Sequence, residues 1–351
     1  MIANSPAFAL QSDATPTIFI LHPGRANYPE IAAYQDFFGK RGFVVDSGTL
    51  EEYERFLGKD NCILWCIMGF YRHPLRARFV IHDYRSLSVR PLSWLKDRIK
   101  RFVNQQPDLR IFQNESMRAE MNFHDNVPTL TLPMGVPDWL FDLTIEEPHA
   151  ERAEHTFSYV GEISRERGFD RLLSAFRKHV GSGNETFVLV GAAERELLSE
   201  FGKIKGLVFT GKLPQPEALQ VVKQSRYAVS YFPYHRPHCF QTPTKFLEYA
   251  ALGKSIVCND APSNLEAIRR YGISAHVTGR DIFDEVLPSH RVSASPNDRD
   301  KMRSSSWQAV IKQSQVLETI RKSATQRVFS LAEMQQTLNH FQRTTIAGKT
   351  D

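Results

Sequence analysis

The stretch PTKFLEYAALGKSIV, residues 243–257, places a lysine and a glutamate one helical turn apart, shortly after a proline. Because side chains three positions apart lie on the same side of a helix, Lys245 and Glu248 are predicted to share one face. Pro243 suits the start of that helix, and the positive end of the helix dipole would lie near Thr244, where a phosphate can bind. A carboxylate accepts paired hydrogen bonds from a diol. The stretch therefore predicts a nucleotide site, with the diphosphate at Thr244 and Lys245 and the ribose at Glu248.

The same stretch resembles the donor-binding helix of retaining glycosyltransferases of the GT-B fold, in particular glycosyltransferase family 4. An isolated K-x-x-E pair would indicate only a surface helix, but here the similarity extends along the chain. FSYVGEISRERGFDRLLSAF (157–176) resembles the strand, glycine turn and helix that open the family's second domain, and TLPMGVPDWLF (131–141) resembles the segment that leaves the first. Three later strand ends follow in the family's order: FVLVG (187–191), VFTGKL (208–213) and YAVSYFPY (227–234).

The resemblance implies a GT-B fold, in which two Rossmann-like doubly wound α/β domains face each other across a cleft. It assigns nucleotide-sugar binding to Gly24, Gly161, Arg165, Arg167, Leu213, Thr244, Lys245 and Glu248. Catalysis is assigned to Lys245 together with His82 and Asp83, which end the strand-like run FVIHD in the first domain. For His82, a purely structural role is the alternative.

Two positions depart from the family's pattern. Many members carry a glutamate eight residues before the ribose-binding glutamate, where this chain has Phe240. The arginine that commonly follows the opening glycine is replaced by Glu162, so the diphosphate would be balanced by Arg165 or Arg167 together with Lys245. The missing carboxylate at Phe240 leaves open a catalytically silent GT-B protein that acts as a scaffold or partner.

Length and composition fit a two-domain protein. A chain of 351 residues exceeds what one core usually serves, and no apolar run approaches the roughly 18 residues that span a bilayer. The net charge of +5 is only mildly basic, and no nucleic-acid-binding motif is present, so no nucleic-acid partner is expected. The first residues lack a basic region followed by an apolar core. No signal peptide is expected, and a cytoplasmic location is predicted.

Apolar runs alternate with amphipathic stretches up to about residue 112 and again from Phe157, as in parallel sheets covered by helices on both faces. An acidic segment, IEEPHAERAEHT (145–156), separates the two series. The predicted domains are an acceptor-side domain, 1–145, and a donor domain, 151–324. A C-terminal helix, 325–351, is expected to cross back to the first domain.

Residues 70–101 are strongly basic. Within and just after them, PLSWLKDRIKRFV (91–103) mixes Trp94 and Phe102 with lysines and arginines, a composition suited to an amphipathic helix on anionic lipid. This predicts a peripheral contact with the inner face of the plasma membrane. The alternative is a helix that covers the sheet and leaves its basic side in water.

Metal ligands are sparse. The four cysteines are too few and too scattered for a disulfide framework. His235, His238 and Cys239 form the one plausible metal cluster, but tetrahedral zinc sites usually need four ligands with a second pair at defined spacing. We therefore expect neither a metal nor another cofactor, with the nucleotide sugar as a substrate.

By resemblance, the chain is predicted to move a hexose-type sugar from a nucleotide-sugar donor to a saccharide or lipid-linked saccharide acceptor in bacterial surface polysaccharide synthesis. The expected reaction retains the anomeric configuration and needs no metal, since Lys245, nearby arginines and helix N–H groups would stabilise the leaving diphosphate. A GT-B nucleotide-sugar epimerase is the alternative enzyme. It would need acid and base groups in the cleft, for which His82 and Asp83 are the candidates.

Overall fold

The computed structural model describes residues 16–24, 28–67, 71, 74–89, 91–143, 153–179 and 183–322. Their strands form two six-stranded sheets in which every pair is parallel. The first sheet has the order β2-β1-β3-β4-β5-β6 and the second has the order β12-β11-β10-β7-β8-β9. This confirms the prediction of two doubly wound α/β domains.

The first domain comprises β1 (Thr17–Leu21), α1 (Pro29–Gly39), β2 (Val44–Gly48), α2 (Leu50–Arg55), β3 (Cys62–Ile67), β4 (Phe79–Tyr84), α3 (Ser93–Val103), β5 (Leu109–Phe112), α4 (Glu115–Met121) and β6 (Thr129–Thr131). Both faces of its sheet are covered. Ile18 and Ile20 of β1 point into one apolar cluster, whereas Phe19 and Leu21 point into another. Near-continuous apolar strands such as β1 are typical of this doubly covered arrangement.

The second domain comprises β7 (His155–Val160), α5 (Phe169–His179), β8 (Phe187–Val190), α6 (Arg195–Phe201), β9 (Leu207–Gly211), α7 (Gln215–Gln224), β10 (Ser225–Ser230), α8 (Thr244–Ala251), β11 (Ser255–Asn259), α9 (Pro262–Tyr271), β12 (Ala275–Thr278), α10 (Ile282–Val286) and α11 (Arg299–Met302). Its strand order reverses between β7 and β10. Ligands of such sheets bind outside the carboxyl ends of the strands at this reversal. The loops that follow β7 and β10 are therefore where a ligand is expected.

The chain returns to the first domain at α12 (Trp307–Gln313). Trp307 N donates to Val136 O at 3.0 Å, and a Cβ added to Gly135 would lie 2.7 Å from the Trp307 ring, so a glycine is needed there. Trp307 and Ile311 join the apolar cluster around β1 and α1, as do Val316, Leu317 and Ile320 of the helical residues that follow. The return thus begins earlier than the predicted crossing helix at 325–351, which lies outside the described residues.

Candidate functional site

Helix α8 begins at Thr244, directly after Pro243, and buries its apolar side against the second sheet. Tyr249 is fully buried, and its hydroxyl oxygen accepts a hydrogen bond from Val160 N at 2.9 Å. Val160 is the last residue of β7, one position before Gly161. The tyrosine therefore ties α8 to the end of β7, at the reversal of strand order.

Lys245 and Glu248 lie on one face of α8. The Lys245 Nζ is 2.8 Å from Oε2 of Glu248, which is only 5% exposed. The amide of Gln215 donates to the other carboxylate oxygen, Oε1, at 3.0 Å. Each carboxylate oxygen can accept more than one hydrogen bond, so a diol can bind in addition to these two donors. Contact of this pair with a nucleotide stays a prediction.

Gln215 was missed by the sequence reasoning. It is the first residue of α7, two positions after the predicted Leu213, which packs against the same apolar cluster as α8. Its position at the start of the helix that follows β9 is the signal that could have found it, because helix starts on that side of the sheet approach the ligand crevice.

The turn after β7 brings two glycines into close approach. Gly161 N donates to Val190 O at 2.9 Å, and a Cβ added to Gly191 would lie 1.7 Å from Gly161 O. Any side chain at Gly191 would collide with that backbone, so the glycine allows the loops after β7 and β8 to meet. Because neither glycine has a side chain, the backbone of this turn is open to close approach by a ligand.

The two predicted arginines are placed differently. Arg165 pairs with Glu200 of α6 at 2.6 Å and lies 3.8 Å from Asp170. Arg167 is more buried, and its Nε lies 3.3 Å from a carboxylate oxygen of Glu162. Arg165 is thus committed to carboxylates on the surface of the second domain, whereas Arg167 stays beside the turn after β7.

The loop between β10 and α8, residues 231–243, packs over that turn. The ring nitrogen Nε2 of His235 is 3.0 Å from Glu166 O. Burial, with the neighbouring Arg167 charge as the next cause, lowers the pKa of His238 to about 4. His238 is therefore neutral at pH 7. The loop after β7 and the loop after β10, which flank the reversal of strand order, are therefore in contact. Arg167 of the first loop lies near His238 of the second, which leads into α8.

In the first domain, Gly24 follows β1, where the order of the first sheet also reverses. Its φ of +69° is in the left-handed region, which glycine adopts without steric cost. The close approach of this backbone to a ligand, and binding by Gly24, stay predictions. Residues 25–27 lie outside the described part of the chain.

Asp83 does not lie at the cleft surface, and that part of the prediction is wrong. Its side chain is fully buried, and Oδ2 accepts hydrogen bonds from the Tyr34 hydroxyl at 2.8 Å and from Trp65 Nε1 at 2.9 Å. Arg85 Nε lies 2.8 Å from Oδ1. These contacts describe a buried structural ion pair and leave Asp83 no open path to a substrate.

His82 is buried as well, on the other face of β4, because successive side chains of a strand point to opposite faces. Burial, and next the charge of Arg110, lower the pKa of His82 to about 3. The imidazole is therefore a neutral core group beside Tyr84. The prediction that His82 and Asp83 face the cleft together is corrected, and with it the acid–base pair that an epimerase would need.

Phe240, which stands where many relatives have a glutamate, contacts the first domain. Its ring packs against the apolar cluster of Tyr84 and Phe112, and its carbonyl accepts from Asn114 Nδ2 at 2.8 Å. The replaced position therefore serves the contact between the domains, which sequence alone did not indicate.

No group of three or more histidine, cysteine, aspartate or glutamate side chains suited to a metal ion occurs among the described residues. The rings of His235 and His238 are 5.5 Å apart, and His238 Nδ1 lies 3.2 Å from Gln241 Oε1. A metal at this loop is not proposed.

Helix α3 has a mixed outer face, defined here as Trp94, Arg98, Ile99 and Phe102. Trp94 is 58% exposed and Phe102 is 80% exposed. Other predicted basic residues turn inward, since Lys100 lies 3.8 Å from Asp97 and Arg101 donates to a backbone carbonyl. Arg72, His73 and Arg90 lie outside the described residues. Within the described ranges, no helix is long and apolar enough to cross a membrane.

Residues 154–285 match a family described as glycosyl transferases group 1. Two related folds are those of HepE from Anabaena in complex with UDP and of AviGT4, a glycosyltransferase involved in avilamycin A biosynthesis. HepE is 12% identical with a TM-score of 0.55, and the alignment covers 90% of this chain and 100% of HepE. AviGT4 is 17% identical with a TM-score of 0.59, over 89% of this chain and 98% of AviGT4.

Sucrose-phosphate synthase from Thermosynechococcus elongatus is 13% identical with a TM-score of 0.55, over 92% of this chain and 100% of the synthase. No match was found among curated protein sequences. At these identities the structural likeness shows a shared two-domain fold, and the family match covers the turn after β7 and all of α8. Together the findings indicate an enzyme of the glycosyltransferase class. The chain therefore has the two-domain fold of GT-B glycosyltransferases, and residues 154–285 of its second domain match the glycosyl transferases group 1 family.

Proposed function

We propose that the protein transfers a sugar from a nucleotide-sugar donor to a saccharide or lipid-linked saccharide acceptor, in bacterial surface polysaccharide synthesis. The carrying observation is the Lys245–Glu248 pair at 2.8 Å on α8, which Tyr249 ties to the end of β7 where the strand order reverses. Complexes of HepE with UDP and with UDP-glucose support a nucleotide-sugar donor for this fold.

The proposed mechanism relies on positive charge held around the leaving group. Thr244 N–H lies at the start of α8, where backbone donors are free of helix partners, and Lys245 stands one position further on. Arg167 adds a second cation beside the turn after β7. Preorganised donors of this kind stabilise charge that develops on the departing diphosphate. On this proposal, transfer proceeds with retention and without a metal.

The function is tested by incubating the protein with a panel of nucleotide sugars and measuring release of the nucleoside diphosphate, with and without added saccharide or lipid-linked acceptors. Lys245→Ala should lower turnover about a hundredfold, because the charge that it stabilises grows in the transition state. Binding of the free nucleoside should change much less. Activity of the native protein should persist in EDTA.

Lys212→Ala is the matched control, since Lys212 is an exposed lysine one residue beyond β9 and should retain activity. A strict requirement for a divalent ion would contradict the metal-free mechanism. Release of nucleotide without any transferred sugar, or interconversion of two nucleotide sugars, would favour an epimerase. Absence of nucleotide binding would favour the scaffold alternative.

We further propose that the outer face of α3 brings this cytoplasmic enzyme to an anionic membrane that carries its acceptor. Exposed aromatic rings beside arginine suit the boundary between headgroups and acyl chains, and each cation near such a surface contributes about 1 kcal/mol. The protein should therefore co-sediment with anionic vesicles at low salt, and binding should fall as salt rises.

Combined replacement of Trp94, Arg98 and Phe102 by Ser, Gln and Ser should abolish this co-sedimentation and leave nucleotide binding intact. Leu57→Ser is the control, because Leu57 is completely exposed in the loop after α2. If the native protein ignores anionic vesicles at low salt, the outer face of α3 is only a solvated surface.

A further inference from the structure

Arg236 crosses from the loop between β10 and α8 to the first domain. Its Nη2 lies 2.5 Å from Oδ2 of Asp97 in α3, and its Nη1 pairs with Glu120 of α4. Only 18% of the arginine side chain and 4% of the aspartate side chain are exposed. One guanidinium thus joins two first-domain helices to the loop that leads into the candidate nucleotide-binding helix.

The first-domain end of this bridge is rigid. The one backbone N–H of Ser88 is shared between the two carboxylate oxygens of Asp97, at N···O distances of 3.0 and 3.2 Å, so a contact within the first domain orients this carboxylate independently of Arg236. Charge-assisted pairs with an oriented carboxylate are stronger than neutral hydrogen bonds, and removing one partner of a shielded pair leaves an uncompensated charge. The bridge therefore contributes more than an exposed pair such as Arg269–Glu266.

The rest of the loop is held from the same side. Gln241 Nε2 donates to Ser86 Oγ at 2.8 Å, and Thr242 N donates to Gln113 Oε1 at 2.6 Å. Ser86 and Gln113 follow β4 and β5, at the carboxyl edge of the first sheet. Because Thr242 is three residues before Lys245, the first domain fixes the backbone just ahead of the proposed diphosphate site.

We propose that Arg236 is a positioning residue for sugar transfer, which holds the start of α8 against the first domain by pairing with Asp97 and Glu120. This inference rests on the proposed function. The nucleotide would bind mainly to groups of the second domain, with Gly24 as the predicted contact from the first, and Arg236 contacts none of these groups. Transfer also needs the acceptor side in register with them. Loss of the bridge should therefore affect turnover far more than affinity for the nucleotide.

The test compares Arg236→Gln, Arg236→Lys and Glu120→Gln with the native protein, using UDP as the binding probe and, as the substrate, the nucleotide sugar that the panel experiment selects. Arg236→Gln should lower kcat about ten- to a hundredfold, as misplacement of about 1 Å does elsewhere. The Kd for UDP should change by less than about twofold, since contacts within the second domain hold Glu248 beside Lys245 and Gln215 and tie Tyr249 to the end of β7. Arg236→Lys should restore part of kcat, and Arg269→Gln is the control.

Small-angle X-ray scattering of the same variants gives a readout that needs no activity. Arg236→Gln should increase the radius of gyration, because fewer contacts then hold the domains and they open more widely on average, whereas Arg269→Gln should not. Unchanged kcat, or an unchanged radius of gyration, in a folded Arg236→Gln variant would overturn the proposal. If Arg236→Gln does not fold, Arg236→Lys and Glu120→Gln decide it by the same criteria. If Arg236→Gln increases the radius of gyration but the native protein transfers no sugar, the bridge between the domains is supported and the proposed function is refuted.

Discussion

Asp83→Ala is expected to lower the free energy of unfolding by about 3 to 5 kcal/mol, because it removes the carboxylate that pairs with the buried Arg85 guanidinium. Tyr34 and Trp65 would also lose the acceptor for their hydrogen bonds. Urea denaturation, followed by circular dichroism, measures the change. The substitution should abolish activity only by depleting folded protein.

Two matched variants test whether the loss of stability comes from the buried ion pair. Asp83→Asn keeps an acceptor for Trp65 and should cost less than Asp83→Ala, although Arg85 remains unpaired. Asp36→Ala removes an exposed carboxylate that pairs with Lys40, and should change stability by about 1 kcal/mol or less. An Asp83→Ala protein with native stability and no activity would instead restore a catalytic role for Asp83.

The same ion pair begins a polar chain that ends near the candidate site. Arg85 Nη1 donates to Leu132 O at 2.7 Å, and Arg85 O accepts from Gln113 Nε2 at 3.1 Å. Gln113 in turn accepts from Thr242 N. Backbone and amide groups thus link the end of β4, which contains Asp83, to the start of α8. The Asp83–Arg85 pair therefore has a structural role in this link.

The sequence predicted best what local geometry decides. Lys245 and Glu248 are three residues apart in one helix, so their shared face follows from helical periodicity alone. The alternation of apolar runs likewise predicted both sheets, because a parallel sheet buries its strands on two faces. The family resemblance added the order of these elements in the second domain.

The errors concern contacts between distant positions. Asp83 was predicted at the cleft, but Tyr34 and Trp65, which are 49 and 18 residues away, bury it. Arg165 and Arg167 were equivalent in sequence, and only the position of Glu200, 35 residues further on, separates them. The spacing of residues along the sequence does not predict such contacts, since they depend on the order of the strands in the sheet.

Phe240 illustrates the same limit at the contact between domains. As a departure from the family's pattern, it indicated a missing carboxylate but gave no sign of what replaced it. The structure places its ring in the apolar cluster of α4 and β5, with Arg236 nearby at 5.6 Å from the ring centre. The residue that removes a carboxylate from the predicted sugar site thus also makes an apolar contact between the domains.

Glu248→Ala is expected to weaken binding of the nucleoside diphosphate about ten- to a hundredfold, because it removes charge-assisted hydrogen bonds worth about 1.5 to 3 kcal/mol. Calorimetric titration measures the affinity, and circular dichroism confirms folding. Glu217→Ala is the matched control, since Glu217 is an exposed carboxylate in the first turn of α7, two residues after Gln215.

The structure requires one refinement of this experiment, because Glu248 also binds Lys245 and Gln215. Its removal frees both donors, so weaker binding alone would not show that the carboxylate holds the ribose. Comparison of the nucleotide with its 2′-deoxy counterpart separates the two roles. The native protein should prefer the ribonucleotide, and Glu248→Ala should bind both equally, because the 2′-hydroxyl then has no carboxylate to meet. If the variant keeps the native preference, the ribose is held elsewhere, and Glu248 serves to orient Lys245 and Gln215.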